Sequence, residues 1–407
     1  MNLTITLAII TFTYFGIALG RWPKIKSNRA TVTLMGVGLL VAFGQIPFEK
    51  LPQFLDFDTL ILLFSMMILN ANLRIAGFFN LAGNALFRVA RSPRALLALE
   101  IFLVGILSGL FLNDTICLMF TPLILEMMTN ARRSPIPYLI ALAAAANIGS
   151  AATLTGNPQN MIIGVASGIS YLDFTSALLP ITLLGLIILW AIILLFYPKE
   201  FQANPFPETV IEKVEVNRSM LFKTLIVVSG LLAAFLAGVP IAKAAFLASC
   251  VLLFTRRVQP HLVFAEFDWS LLVFFAGLFI VSGALEANGI TTMLFQAINL
   301  TSSTDIWAFS FFTAGLSNLV SNVPAVLLLK SIVTSFRDPT AGWLTLAAAS
   351  TLAGNLTLLG SVANLIVAEI ATRWRVDLNF WEYTRVGLVI TLLTLTIGTL
   401  WLQNFFW

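Results

Sequence analysis

Four short polar runs interrupt an otherwise apolar chain, and their residue types suit ion coordination rather than bond-making. The first is Asn113-Asp114-Thr115, and the second spans 150–160, with Ser150, Thr153, Gly156, Asn157, Pro158 and Asn160. The third is Ser321-Asn322-Val323-Pro324, and the fourth spans 354–364, with Thr357, Gly360, Ser361 and Asn364. Hydroxyls, amides and unwound carbonyls ligate cations, while a helix N-terminus attracts anions through free N–H groups and its dipole. A charged side chain at mid-membrane depth costs on the order of 3 kcal/mol on insertion scales. Asp114 is therefore expected to hold a coupling cation or a proton; the structural alternative is a cap on the helix that follows it. If sodium is the coupling ion, Asn113, Asp114, Gly156, Asn322 and Gly360 are its expected ligands. No other cofactor is expected. His261 is the single histidine, and Cys117 and Cys250 lie inside apolar segments, so no metal cluster or nucleophile–base pair can be assembled. An enzyme is the least favoured class.

The elements that carry these runs are unusual in the same way. Pro158 lacks an N–H and Gly156 gives no side-chain cover, so the apolar stretch 141–164 cannot be one continuous helix. A broken helix in lipid needs its freed backbone groups satisfied by protein, water or solute. The stretch 346–368 is similar: at a constant offset of 204 residues, Thr153 meets Thr357, Gly156 meets Gly360 and Asn160 meets Asn364. Two interrupted segments in matching positions of two halves point to a transporter binding site. Residues 95–130 and 304–336 each read as two short apolar arms around a polar tip, the pattern of a re-entrant hairpin. Leu107, Ser108, Leu110 and Asn113 match Leu316, Ser317, Leu319 and Asn322 at an offset of 209.

The chain has 407 residues, 59% of them hydrophobic and only 10% charged, where a soluble domain carries about a quarter charged residues. That composition defines a multi-span membrane protein whose surroundings are the lipid bilayer. The net charge of +4 does not mark a nucleic-acid partner, because the basic residues sit in short loops. With five crossings per half and the N-terminus outside, the inside segments hold 19 of the 23 Lys and Arg residues. An odd number of crossings inverts the second half relative to the first, and the asymmetry fits the positive-inside rule. Among the other charges, Glu369 and Arg373 form an expected i, i+4 pair. Glu126 is within reach of Arg132 or Arg133, Lys330 either neutralises an anion or snorkels outward, and Glu100 sits deeper in the first hairpin arm.

The sequences LNDTICLMFTP and NIGSAATLTGNPQN in the first half, with SNVPAV and GNLTLLGSVAN in the second, resemble the ion transporter superfamily. That grouping includes divalent-anion/sodium symporters, citrate carriers, arsenite efflux permeases and NhaD-type sodium/proton antiporters. The resemblance implies two inverted repeats, a scaffold part that dimerises and a transport part that moves elevator-fashion. In the carboxylate symporters each hairpin tip carries Ser-Asn-Thr. Here only Thr115 in the first tip and Ser321-Asn322 in the second match, and the extra acid Asp114 points to proton-linked or arsenite-type relatives.

The expected fold is thus an all-α polytopic membrane protein of two inverted repeats, each of five spans with a re-entrant hairpin and a broken transmembrane helix. The first repeat covers 1–198, with its inner hairpin at 95–130 and broken span at 137–168. A cytoplasmic linker at 199–218 joins it to the second, 219–407, with the outer hairpin at 304–336 and broken span at 341–372. The expected function is secondary active transport of a small inorganic or organic anion, or oxyanion, coupled to H⁺ or Na⁺. A Na⁺/H⁺ antiporter or arsenite-type efflux permease is the alternative, and an ion channel is less favoured. The expected setting is the cell membrane, as a homodimer with both termini outside.

Overall fold

The computed structural model describes residues 3–19, 27–202, 216–254, 259–290, 305–334 and 336–406. Among these the regular structure is helical, with no strand. The first half opens with α1 (Leu3–Leu19) and α2 (Arg29–Ala42), whose N-cap Asn28 accepts from Thr31 N. A 3₁₀ turn (Phe48–Phe54) leads to α3 (Phe57–Ile75), capped by Asp56, and to α4 (Phe78–Val89), which starts after Gly77 in the left-handed region at φ 83°. Next come α5 (Pro93–Leu110) and α6 (Asn113–Asn130), then α7 (Ile136–Ser150) and α8 (Pro158–Ser167). The long α9 (Tyr171–Phe196) and the single turn α10 (Pro198–Phe201) close this half.

The second half runs through α11 (Arg218–Leu236), α12 (Ile241–Leu253), α13 (Pro260–Ala265) and α14 (Trp269–Ala287). It continues with α15 (Ile306–Val320), α16 (Asn322–Val333), α17 (Pro339–Ala353), α18 (Val362–Arg373) and α19 (Phe380–Phe406). By length and composition α3, α5, α9, α11, α14 and α19 are long and apolar enough to cross a membrane. The expected interfacial piece at 290–300 and the middle of the linker fall almost wholly outside the described residues.

Matching helices of the two halves pack in matching ways, some within a half and some across the halves. α2 lies on α14 and α3 on α12; α5 lies on α7 and α15 on α17; α6 lies on α18 and α16 on α8. The innermost elements are α7, buried from Pro137 through Ser150, and α17, buried from Ala341 through Ala353. Apolar residues on every side mark a core helix. Their alanine runs let neighbouring backbones approach closely. One close approach is at Gly149, where an added Cβ would overlap the backbone of Gly105 on α5.

Two expectations change in three dimensions. The arms of the first hairpin are not half-length: α5 and α6 each have 18 residues, about 27 Å at 1.5 Å per residue. Those of the second are shorter, at 15 and 12 residues. Arg133 does not meet Glu126; its Nη1 lies 3.1 Å from Glu200 Oε1, because α10 folds back beneath α5 and α9. Glu369 and Arg373 do pair, at 3.0 Å on an exposed face.

Candidate functional site

Both interruptions have local chemical causes. α7 ends at Ser150, and α8 cannot start before Pro158, which fills the first helical turn where a missing N–H is harmless. Asn157 caps α8 through Asn160 N at 2.8 Å, and Ser361 caps α18 through Ala363 N at 3.2 Å. The intervening carbonyls are taken up by side chains. Asn160 Nδ2 donates to Ser150 O (3.1 Å) and Thr153 O (2.9 Å). Asn364 Nδ2 donates to Gly354 O (2.7 Å) and Thr357 O (3.0 Å). These are the same bonds at the 204-residue offset, so each interruption is a built feature rather than a kink.

The two interruptions meet at Asn147, near the end of α7. Its Nδ2 donates to Asn364 Oδ1 (2.9 Å) and Asn355 Oδ1 (3.0 Å). Its Oδ1 accepts from Ser361 Oγ (2.9 Å) and from Asn113 Nδ2 (3.3 Å) at the first hairpin tip. Thr351, at the same offset from Asn147, does the reciprocal work on α17. Its hydroxyl accepts from Asn157 Nδ2 (3.3 Å) and Gln159 Nε2 (3.2 Å), and lies 3.5 Å from Asn160 Oδ1. Each half's inner helix thus clasps the other half's broken span.

The hairpin tips dock onto the same centre. Asn113 N donates to Gly156 O at 3.0 Å, and Thr153 Oγ1 donates to Gly109 O. Asn322 takes the amide orientation in which its nitrogen donates to Gly360 O and Ser350 O, both at 3.2 Å. Gly156 and Gly360 are therefore matched acceptors for the two tips. Ser321 has φ 79° and ψ 158°, a region populated almost only by glycine and costing on the order of 1–3 kcal/mol. Pro324 lies in the first turn of α16, and Thr115 in the first turn of α6, half-buried.

Asp114 does not cap α6. Leu112 occupies the cap position, and no hydrogen bond reaches the Asp114 carboxylate among the described residues. It is half-buried, beside Thr115, and interacts electrostatically with Arg29 and Asp268. Arg29, at the start of α2, also places Nη1 3.5 Å from Ser321 Oγ, so one guanidinium faces both hairpin tips. Lys330 turns to Glu286, with Nζ 3.8 Å from Oε1, and does not reach the centre.

Of the residues singled out in the sequence, Asn113, Ser150, Thr153, Gly156, Asn157, Asn160, Asn322, Gly360, Ser361 and Asn364 are joined in this network. Thr357 enters through its carbonyl and through Oγ1, 3.4 Å from Asn318 Oδ1. Asn147, Thr351, Asn355, Gln159 and Arg29 were missed. The signal for the first two was present, because the 204-residue offset already pairs them as polar residues on alanine-rich helices. Buried atoms at the centre that lack a protein partner include Ser108 Oγ, Asn113 Oδ1, Thr155 Oγ1 and Asn355 Nδ2. They offer acceptors and a donor to a small polar guest. A mainly apolar crevice of about 310 Å³, lined by Ile106, Leu179, Leu183, Leu232 and Leu236, borders this centre at Gly109, Gly149 and Thr153.

A helical membrane protein with paired hairpins docked on paired broken helices has the build of a transporter. A family model described as citrate transporter matches residues 14–353, and the chain belongs to that family. The silicon efflux transporter LSI3 of Oryza sativa subsp. japonica is 30% identical, with 92% of each chain covered. The putative transporter arsB of Dictyostelium discoideum is 25% identical, covering 91% of this chain and 86% of that one. The crystal structure of the Alcanivorax borkumensis YdaH transporter, described as having an unusual topology, superposes with TM-score 0.61 at 17% identity. That alignment covers 99% of this chain and 96% of the other, and shows a shared fold. The protein is a multi-pass membrane transporter.

Proposed function

We propose that this transporter moves a small anion or oxyanion by secondary active transport, with H⁺ or Na⁺ as coupling ion at Asp114. The observation that carries the reading is the meeting of two interrupted helices and two hairpin tips around Asn147, with unpartnered polar atoms left at their junction. Asn and Ser groups there suit an oxygen-rich solute, and Arg29 supplies the positive charge. The family's citrate and the relative's silicon both travel in water as oxygen-rich acids or anions. The two halves are inverted across the bilayer, and the hairpins with the broken helices form the part that moves. A homodimer through the remaining helices, and a plasma or inner membrane setting with both termini outside, complete the proposal.

Purified protein in liposomes, loaded with citrate, arsenite or silicic acid, tests it. Asp114→Asn and Asn322→Ala are each expected to reduce flux at least tenfold; wild-type flux in both variants would remove the assignment. A cation/proton antiporter is the second reading, favoured by the half-buried Asp114 carboxylate without a hydrogen-bond partner. A pH-sensitive dye in inverted vesicles separates the two, because only an antiporter collapses ΔpH on addition of Na⁺ alone.

A further inference from the structure

Glu100 is the one carboxyl side chain of the described residues that is fully buried and has neither oxygen hydrogen-bonded within the protein. It lies on α5, seven residues after Pro93, or about 10 Å along the helix axis. Asp114, at the first hairpin tip, is a different group on a different helix. A carboxylate at Glu100 would be an unpaired charge in an apolar interior, a state whose desolvation nothing repays. A neutral acid packs no better than glutamine or leucine would, so the ionisable group needs an explanation other than packing.

Its surroundings supply one. Tyr138 on α7 lies within electrostatic range of Glu100, with no hydrogen bond between them. The Tyr138 hydroxyl donates to Glu200 Oε1 on α10 at 3.3 Å, and Arg133 Nη1 holds the same oxygen at 3.1 Å. Glu200 and Arg133 are 15% and 11% exposed, so the hydrogen-bonded groups from Tyr138 onward reach the surface, and one gap separates them from the buried acid. Arg94, on Glu100's own helix, is turned to Phe201 O at 3.1 Å. The other titratable side chains on the helices packed against α5 are Asp114, Cys117 and Glu126 on α6, Arg88 on α4, Tyr171 and Asp173 on α9 and Lys199 on α10. α5 meets α7 across the glycine contact of Gly105 and Gly149.

We propose that Glu100 is a proton-binding site of the transport cycle, protonated in this conformation and exchanging with water through Tyr138 and Glu200 when α5 shifts along α7. In the exchange Glu100 becomes a carboxylate, and one proton passes to Glu200 or to water at the surface; no other bond changes. This deepens the transport reading by making the proton the coupling ion, but its first test does not depend on that reading. Infrared spectra of the purified full-length protein should show a buried carboxylic-acid carbonyl band that persists at neutral and mildly alkaline pH and is missing in Glu100→Gln. Tyr138→Phe, which keeps the acid, should retain the band and slow its deuterium exchange at least tenfold. In liposomes loaded with citrate or silicic acid, an imposed ΔpH should accelerate wild-type flux at least fivefold and leave Glu100→Gln flux unaffected. A band shared equally by wild type and Glu100→Gln overturns the site, and unchanged exchange in Tyr138→Phe overturns the route. The band present with wild-type flux indifferent to ΔpH overturns proton coupling. Absence of any wild-type flux overturns the transport reading, and the spectra then decide the proton site alone.

Discussion

Replacing Asn147 by alanine is the most informative single perturbation of the centre. The side chain is 1% exposed and makes four bonds, to Asn113, Asn355, Ser361 and Asn364, at 2.9 to 3.3 Å. Hydrogen bonds between membrane helices average about 0.6 kcal/mol each, so four give roughly 2.5 kcal/mol. That shifts the balance between docked and separated broken spans by roughly seventyfold. The truncation also strands the Ser361 hydroxyl and the Asn364 carbonyl, adding on the order of 1 kcal/mol for each group left without water or a new partner. Asn147→Ala should therefore unfold at a clearly lower temperature in detergent, measured by fluorescence-detected gel filtration, and should lose most of its liposome flux. A double-mutant cycle with Ser361→Ala should show the two losses to be non-additive, since they share a bond. Wild-type melting temperature and flux in Asn147→Ala would refute the claim that this amide holds the two halves' interruptions together.

Thr351→Ala removes the reciprocal but longer contacts, at 3.2 to 3.5 Å, and should cost about half as much by the same melting assay. Gly149→Ala drives a methyl group into the Gly105 backbone; overpacking of this kind costs about 1–3 kcal/mol, read as a lower melting temperature. Arg29→Lys should keep part of the flux and Arg29→Gln little, because the charge near Asp114 and Ser321 is what the tips share; equal flux in both variants would deny Arg29 a role. Ser321→Gly relieves the left-handed backbone and should raise stability by about 1 kcal/mol while leaving the tip's amide contacts in place.

Much of this arrangement was legible in the sequence because backbone chemistry is local. Pro158 and Gly156 dictate a break wherever they fall in an apolar helix, and the 204-residue offset carried the same conclusion to Gly360. The polar tip at 112–115 marked the turn between two arms for the same reason. The lengths of those arms were not legible: α5 keeps helical geometry through apolar residues that fit lipid or protein equally well. Asn147 and Thr351 were missed because they sit in uninterrupted helical pattern, and their partners lie some 190 to 220 residues away in the chain. Arg29 was read as an orientation signal, since nothing local separates a loop cation from one that reaches a tip. Glu126 and Arg133 looked like a pair by proximity alone, until α10 brought Glu200 closer.

The central claim is that the solute sits where the two interruptions and the two tips converge. Thermal stabilisation by a panel of anions and oxyacids identifies a ligand, because binding to the folded state raises apparent stability. Cryo-electron microscopy with the most stabilising compound then locates it. The predicted result is density within hydrogen-bond distance of Asn113 and Asn355, between Gly156 and Gly360; density confined to the apolar crevice between α5, α9 and α11 would contradict the account.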